Sequence, residues 1–572
     1  MKKRYYIGVA CLVGLLLTGC SNQQKDTDEK KGEQSNSYSV STVSQTEFGK
    51  VKGIKEDHTY IWYGIPYGAD TSGENRWHAP KDPEKWVDTL DCTKPGEVAL
   101  QSGSKGVTGS ENALNLDVYR PDNSKDKLPV LVYIHGGNNQ TGQAQEISGQ
   151  SFVKSHDAIY VSVNYRLGVL GFNPLPALQK GTDEEKSGNY TLLDIKHSLD
   201  WIKENISNFG GDAENITVSG FSAGGRDVMA MLISPIFKGS FQKAISFSGG
   251  MTTAPVEQSQ QVFAKAFAPL VVEDKVQPDE SSAVNWLLSD DAKVRDYLYQ
   301  LSGERLAKLM GNAGIRMAVF PHLYTDGVVL PKEGFDTKNY NDVPLMMTTG
   351  QTEFSLFGRF DPYFAKNVAD QSIDKDANVK AQYDFINKYG GKLYSLFNVT
   401  DSANKMKTNY QSPIYGMEFT FGNDVSVVGN KMGVFGSFHG VFVPLLDTNS
   451  QNYTALVGDA YQSKGAKQLA TTFQDYVYRF ISTGNPNGKG LEKWSDWQEN
   501  QDILILGATK DKVTANQEQK SYTYDDVLAE MKADQTLDSA TKEKLIKQVL
   551  NGRWFSHQLD KENNNLSDFY TK

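Results

Sequence analysis

From about residue 128 the chain alternates between two hydrophobic periods. LPVLVYIHGG (128–137) and DAIYVSVNYR (157–166) are short, nearly continuous apolar runs closed by turn residues, the pattern of strands buried on both faces. Between such runs, SGNYTLLDIKHSLDWIKENISNFGG (187–211) sets Leu192, Ile195, Leu199, Ile202 and Ile206 at steps of three and four and stops at Gly210 and Gly211. That spacing predicts one apolar helical face resting on a sheet. NITVSG, the turn GFSAGG, the helical RDVMAMLI and the strand-like QKAISFSGG then repeat the order strand, turn, helix, strand. Repetition of this unit predicts an α/β class with a mainly parallel central sheet covered by helices on both faces. From about 255 to 320 the pattern is helical throughout, through QQVFAKAFAPLVV, SAVNWLL and AKVRDYLYQLSGERLAKLM, and is expected to be a helical cap insertion; a charged helical tail follows from about 522 to 572. There is no internal repeat.

The start of the chain has a different grammar. Lys2, Lys3 and Arg4 precede an apolar stretch of 13 residues, Tyr5 to Leu17, and LTGC ends at Cys20. Thirteen residues fall short of the roughly 20 that span a bilayer, so residues 1–19 read as a cleaved signal peptide. LTGC resembles the lipobox of bacterial lipoproteins, which implies that Cys20 becomes a lipidated N-terminus held on the outer side of the cell membrane. Residues 20–45 are polar and poor in large apolar side chains, and are expected to form a flexible tether. Residues 46–572 are then expected to form one catalytic domain.

Composition narrows the field. With 39% hydrophobic and 22% charged residues the chain is ordinary globular protein, and Lys+Arg 59 against Asp+Glu 69 gives −10, which argues against a nucleic-acid partner. Three cysteines, Cys11, Cys20 and Cys92, are too few for a disulfide framework. With Cys20 lipidated, Cys92 has no partner, and no internal disulfide is expected.

Gly220-Phe221-Ser222-Ala223-Gly224 fits Gly-x-Ser-x-Gly, a string weak by itself but placed here between a predicted strand and a predicted helix, where the chemistry requires it. Small flanking residues let the hydroxyl of Ser222 project from a strained turn. The following helix aims its N-terminus and the Ala223 N–H at the position where a carbonyl oxygen would gain charge. Ser222 is the candidate nucleophile. In hydrolases of this topology the order is serine, acid, histidine, which leaves His322, His439 and His557 as bases. His557 lies in the charged tail and His322 leaves a short span for the acid, whereas His439 sits in the glycine-punctuated apolar loop FGSFHGVFVPLL.

These segments, together with WYGIPYG, SENALNLDVYRP, VNYRLGVLGF, VPLMMTTGQTEFSLF and FISTGNPNGKGLEKW, make residues from about 50 to 507 resemble the type-B carboxylesterases, the α/β-hydrolases that include cholinesterases and bacterial para-nitrobenzyl esterases. The resemblance implies an α/β-hydrolase fold and a triad of Ser222, Glu353 and His439. It also implies an oxyanion hole built from the N–H groups of Gly137, Asn138 and Ala223, with no metal or cofactor. The stretch before the acid is two residues shorter than in most members, so Asp342 and Asp361 stay open as alternatives to Glu353.

The chain departs from the family at several positions. HGGGF reads HGGNN here, so Asn138 and Asn139 replace a glycine and an aromatic residue. Two family glutamates beside the triad are Phe221 and Phe442, which predicts a drier surround, since one carboxylate left alone in an apolar shell would be costly. The loop from 99 to 113 has neither the cysteine nor the tryptophan found in cholinesterases, which argues against choline esters. The expected activity is serine-dependent hydrolysis of small-molecule carboxylic esters through an acyl-enzyme, by a protein tethered to the bilayer at Cys20. A cholinesterase-like binding or adhesion protein and an acyl hydrolase for amides, thioesters or lactones are the competing readings.

Overall fold

Within each apolar run, alternate side chains leave the sheet on opposite sides, and this sorts the protein into two cores. Val130, Val132 and Ile134 join one hydrophobic cluster, Leu131 and Tyr133 the other; Ile159, Val161 and Val163 divide from Tyr160 in the same way. The computed structural model describes residues Tyr38–Asn564. Its main sheet has eleven strands: β1 (Ile54–Glu56), β2 (Thr59–Pro66), β3 (Asn115–Pro121), β4 (Leu128–Ile134), β5 (Ile159–Val163), β6 (Gly211–Phe221), β7 (Lys243–Phe247), β8 (Leu345–Gly350), β9 (Ile414–Phe419), β10 (Asp502–Ala508) and β11 (Val513–Gln519). They lie side by side in the order β11-β10-β9-β8-β7-β6-β4-β5-β3-β2-β1. Strands β4 to β10 run parallel to one another, while β3 against β5, β2 against β3, β1 against β2 and β11 against β10 are antiparallel.

Helices cover both faces, as a parallel sheet requires. Helix α1 (Tyr190–Asn205) lays Leu192, Ile195, Leu199 and Ile202 into one core, and α2 (Ala223–Ile233) follows β6 into that core. Helix α5 (Lys464–Thr483) packs Leu469, Phe473, Tyr476, Val477 and Phe480 into the opposite one. Between β7 and β8 the chain is helical at α3 (Val256–Glu273) and then at Glu280–Leu287, Ala292–Gln300 and Gly303–Ala307. Helix α4 (Ala377–Asn398) separates β8 from β9. After β11 the tail is helical at Tyr524–Ala533, Ser539–Leu545 and His557–Glu562. Among the described residues no helix is long and apolar enough to cross a membrane.

The expected tether ends earlier than residue 45. Tyr38 donates its hydroxyl proton to the Asn208 carbonyl at 2.9 Å beneath the Arg120 guanidinium, and Val43–Gln45 pairs antiparallel with Lys50–Lys52. The Trp62 indole N–H donates to the Thr42 carbonyl at 2.9 Å. Polar composition hid a short edge strand whose backbone bonds do not depend on apolar side chains. The signal segment and Cys20 lie outside the described residues.

Candidate active site

Ser222 sits where β6 ends and α2 begins, at φ 56° and ψ −113°, a left-handed conformation a non-glycine residue adopts only under constraint. The glycines explain how the turn closes. A Cβ on Gly220 would meet the Gly224 carbonyl oxygen, and one on Gly224 would meet that of Ile134. Ser222 is anchored by its N–H to the Phe247 carbonyl at 2.9 Å and is 5% exposed.

His439 follows β9 in the loop that ends at Val443 and is buried. Its Nδ1 lies 2.5 Å from Glu353 Oε2, and its Nε2 is buried without a partner. Glu353 is fully buried beyond the end of β8. Its other oxygen, Oε1, accepts from the Gly350 N–H at 2.6 Å, the Ser248 hydroxyl at 2.5 Å and the Thr349 hydroxyl at 3.3 Å. The shortened stretch before Glu353 therefore reaches His439. The alternatives are engaged elsewhere: Asp361 pairs with Arg553 at 2.7 Å and Arg316 at 3.1 Å, and Asp342 accepts from the backbone N–H groups of Gln411 and Ser412 at 2.8 Å each. His322 is also removed from that role, since its Nε2 accepts from Arg226 at 2.6 Å and burial holds it well below the usual histidine range.

The loop after β4 lies against Ser222. A Cβ on Gly136 would stand 3.3 Å from the Ser222 Cβ. Gly137, Asn138 and Asn139 all have positive φ, at 99°, 57° and 55°. The backbone N–H groups of Gly137, Asn138 and Ala223 bond to nothing among the described residues, as donors kept for a ligand would. A buried carboxylate that sequence reasoning missed braces this loop: Glu146 accepts from the Gly136 N–H and the Tyr133 hydroxyl, each at 2.8 Å. Burial raises the Glu146 pKa.

Phe221 and Phe442 pack beside His439. The Phe221 ring is 4.7 Å from the imidazole of His439 and 5.1 Å from Phe442, which stacks on Phe247 at 4.5 Å. Tyr394 of α4 stacks on His439 at 5.5 Å, and Phe555 of the C-terminal tail stacks on Tyr394 at 4.8 Å. The tail, whose role the sequence left unread, thus forms a wall behind the imidazole. Ser248 and Tyr394 carry no spacing signal toward residues 105 and 45 positions away. Arg226 and Asp227 carry one, as charged neighbours in a fully buried helix of otherwise small and apolar residues.

Comparison with known proteins identifies the family. A model described as the carboxylesterase family matches residues 40–390. A para-nitrobenzyl esterase of Bacillus subtilis (strain 168) is 30% identical over 482 residues, covering 81% of this chain and 94% of its own. The liver carboxylesterase of Sus scrofa is 27% identical over 500 residues, covering 78% and 85%. Among solved structures, a PNB esterase superposes with a TM-score of 0.63 at 28% identity, over 85% of this chain and 99% of its own. With the fold and these relatives together, the chain belongs to the carboxylesterase family and is a carboxylic ester hydrolase of the α/β-hydrolase fold.

Proposed function

We propose that Ser222, His439 and Glu353 form the catalytic triad and that Gly137, Asn138 and Ala223 supply the oxyanion hole. The observation that carries this reading is the polarity of His439: Nδ1 is tied to a buried carboxylate at 2.5 Å, while Nε2 has no partner and the ring packs beside the residue preceding Ser222. A carboxylate at Nδ1 holds the proton there and leaves Nε2 as the base. The Ser222 proton passes to Nε2 as the oxygen attacks the ester carbonyl, and the oxyanion gathers the three free N–H groups. His439 then protonates the leaving alcohol, and water repeats the sequence on the acyl-enzyme. Each donor in such a hole contributes roughly 3 kcal/mol to the transition state.

The name of the Bacillus relative makes aromatic esters the first substrates to try. Cys20, in LTGC, is the proposed lipid attachment point that holds the enzyme on the outer face of a bacterial membrane, with residues 21–37 as the link to the fold. The test is labelling of residues 21–572 with a fluorophosphonate, followed by peptide mapping and comparison with Ser222→Ala. Modification confined to Ser222 with matching loss of ester hydrolysis is expected. A folded but unlabelled protein would overturn the triad in favour of a binding protein, and a clear preference for amides over matched esters would reassign the substrate class. Mass spectrometry of the membrane-extracted protein tests the anchor, which an unmodified Cys20 would refute.

A further inference from the structure

The two residues that break the HGGGF pattern are both held by the helix that presents the nucleophile. Arg226 Nη2 donates to Asn138 Oδ1 at 3.0 Å, and Asn139 Nδ2 donates to Asp227 Oδ1 at 2.9 Å. Arg226 and Asp227 are consecutive in α2, one turn beyond Ser222, and the Arg226 N–H itself donates to the Ser222 carbonyl at 3.0 Å. We propose that Arg226 and Asp227 are positioning residues, a pair of clamps that hold Asn138 and Asn139 in their left-handed conformations and so keep the Gly137 and Asn138 N–H groups facing Ser222. This inference rests on the oxyanion hole assigned above.

The physical case begins with cost. Arginine and aspartate are fully buried here in a helix whose other residues are small or apolar, and burying each charge without water costs several kcal/mol unless its bonds are well made. That cost is met only in part: Arg226 Nη1 donates to His322 Nε2 at 2.6 Å and the Trp554 ring lies 3.7 Å from the guanidinium carbon, while Arg226 Nε and Asp227 Oδ2 are buried without a hydrogen-bond partner among the described residues. The hydrogen-bond partners of Arg226 are neutral, because burial keeps His322 unprotonated, and burial lowers the guanidinium only to about 10, so its charge persists at neutral pH beside the loop where an oxyanion forms. The benefit is conformational. Asparagine tolerates positive φ better than most residues but does not select it, so two successive left-handed residues at 57° and 55° need outside support. Glycine would leave that loop free to move, whereas asparagine provides a handle for the helix to grip. Asn139 is gripped again through its carbonyl, which accepts from the Gly168 N–H at 2.7 Å.

The test is a double-mutant cycle on kcat for a neutral aromatic ester. Arg226→Met is expected to lower kcat about 30-fold and Asn138→Gly about 5-fold, each with KM within about twofold, since a displaced hole donor acts on the transition state alone. The double variant is expected to fall little below Arg226→Met, far from the product of the two losses. Asp227→Leu is expected to lower kcat in the same way, and Asp227→Asn, which still presents an acceptor to Asn139, to recover most of that loss. Should Arg226→Met fail to fold by near-ultraviolet circular dichroism, Asn138→Gly and the two Asp227 variants carry the same decision. Wild-type kcat in these variants, or losses that simply multiply, would overturn the clamps while leaving the triad standing. A KM rise confined to anionic esters would make Arg226 a substrate-binding group instead. A folded wild type without esterase activity would overturn the hole itself and the clamps with it.

Discussion

Replacing Glu353 by Gln tests the acid with almost no change in shape. Three donors, the Gly350 N–H and the hydroxyls of Ser248 and Thr349, converge on Oε1. The glutamine carbonyl must take that position, which turns its NH2 toward His439 Nδ1. The imidazole then keeps its proton on Nε2 and cannot accept one from Ser222. The variant also loses the anion that stabilises the imidazolium: with charge centres about 4 Å apart and an effective dielectric near 20 the interaction is about 4 kcal/mol, or roughly 10³ in rate. Together with the wrong tautomer, kcat on para-nitrophenyl acetate is expected to fall about 10³- to 10⁴-fold with KM little changed. Steady-state kinetics on protein checked for native circular dichroism reads this out. A kcat within about tenfold of wild type would refute the argument and return Asp342 and Asp361 to consideration.

Other consequences are as direct. Phe442 is 1% exposed between Phe221 and Phe247, so Phe442→Ala is expected to cost about 3–5 kcal/mol in urea unfolding, and a loss under about 1 would refute that packing. Asp361→Asn removes the carboxylate charge that Arg553 and Arg316 share, Arg553 being fully buried, and should cost about 3–5 kcal/mol by the same assay. Asp117, raised to about 7 by burial, keeps its proton in the fold to higher pH than in the unfolded chain, where it ionises near 3.9. The unfolded state therefore loses its proton first as pH rises, and stability is lost between about pH 4 and 7; relative to wild type, Asp117→Asn should gain about 4 kcal/mol at pH 8 over its standing at pH 4. Cys92 is buried and free, with its thiol pushed up to about 12, so residues 21–572, in which it is the one cysteine, should show one titratable thiol only after unfolding.

What was legible in the chain was local or ordered along it. The elbow declares itself because Gly220 and Gly224 answer a steric demand within five residues, and His439 because the order of the triad leaves few histidines. The sheet follows from runs such as Leu128–Ile134, whose alternation sends side chains into two cores. Long-range compensation comes in pairs here, and only the pair Phe221 and Phe442 was legible, because the resemblance had already placed both positions beside the triad. Phe221 and Phe442 lie far apart in sequence yet stand 5.1 Å ring to ring, so neither could carry the family's carboxylate without stranding it against the other's ring. Asn138 and Asn139 find their partners 88 residues away at Arg226 and Asp227. The tail closes the same circuit, since Trp554 covers Arg226 while Phe555 backs Tyr394, which backs His439. Each departure from the family pattern, taken alone, reads as damage to the site; taken with its spatial partner it is a substitution of one set of supports for another. The loop that lost its glycine and its aromatic residue is held by a buried ion-bearing helix, and that helix is held in turn by an arm that begins after the last strand.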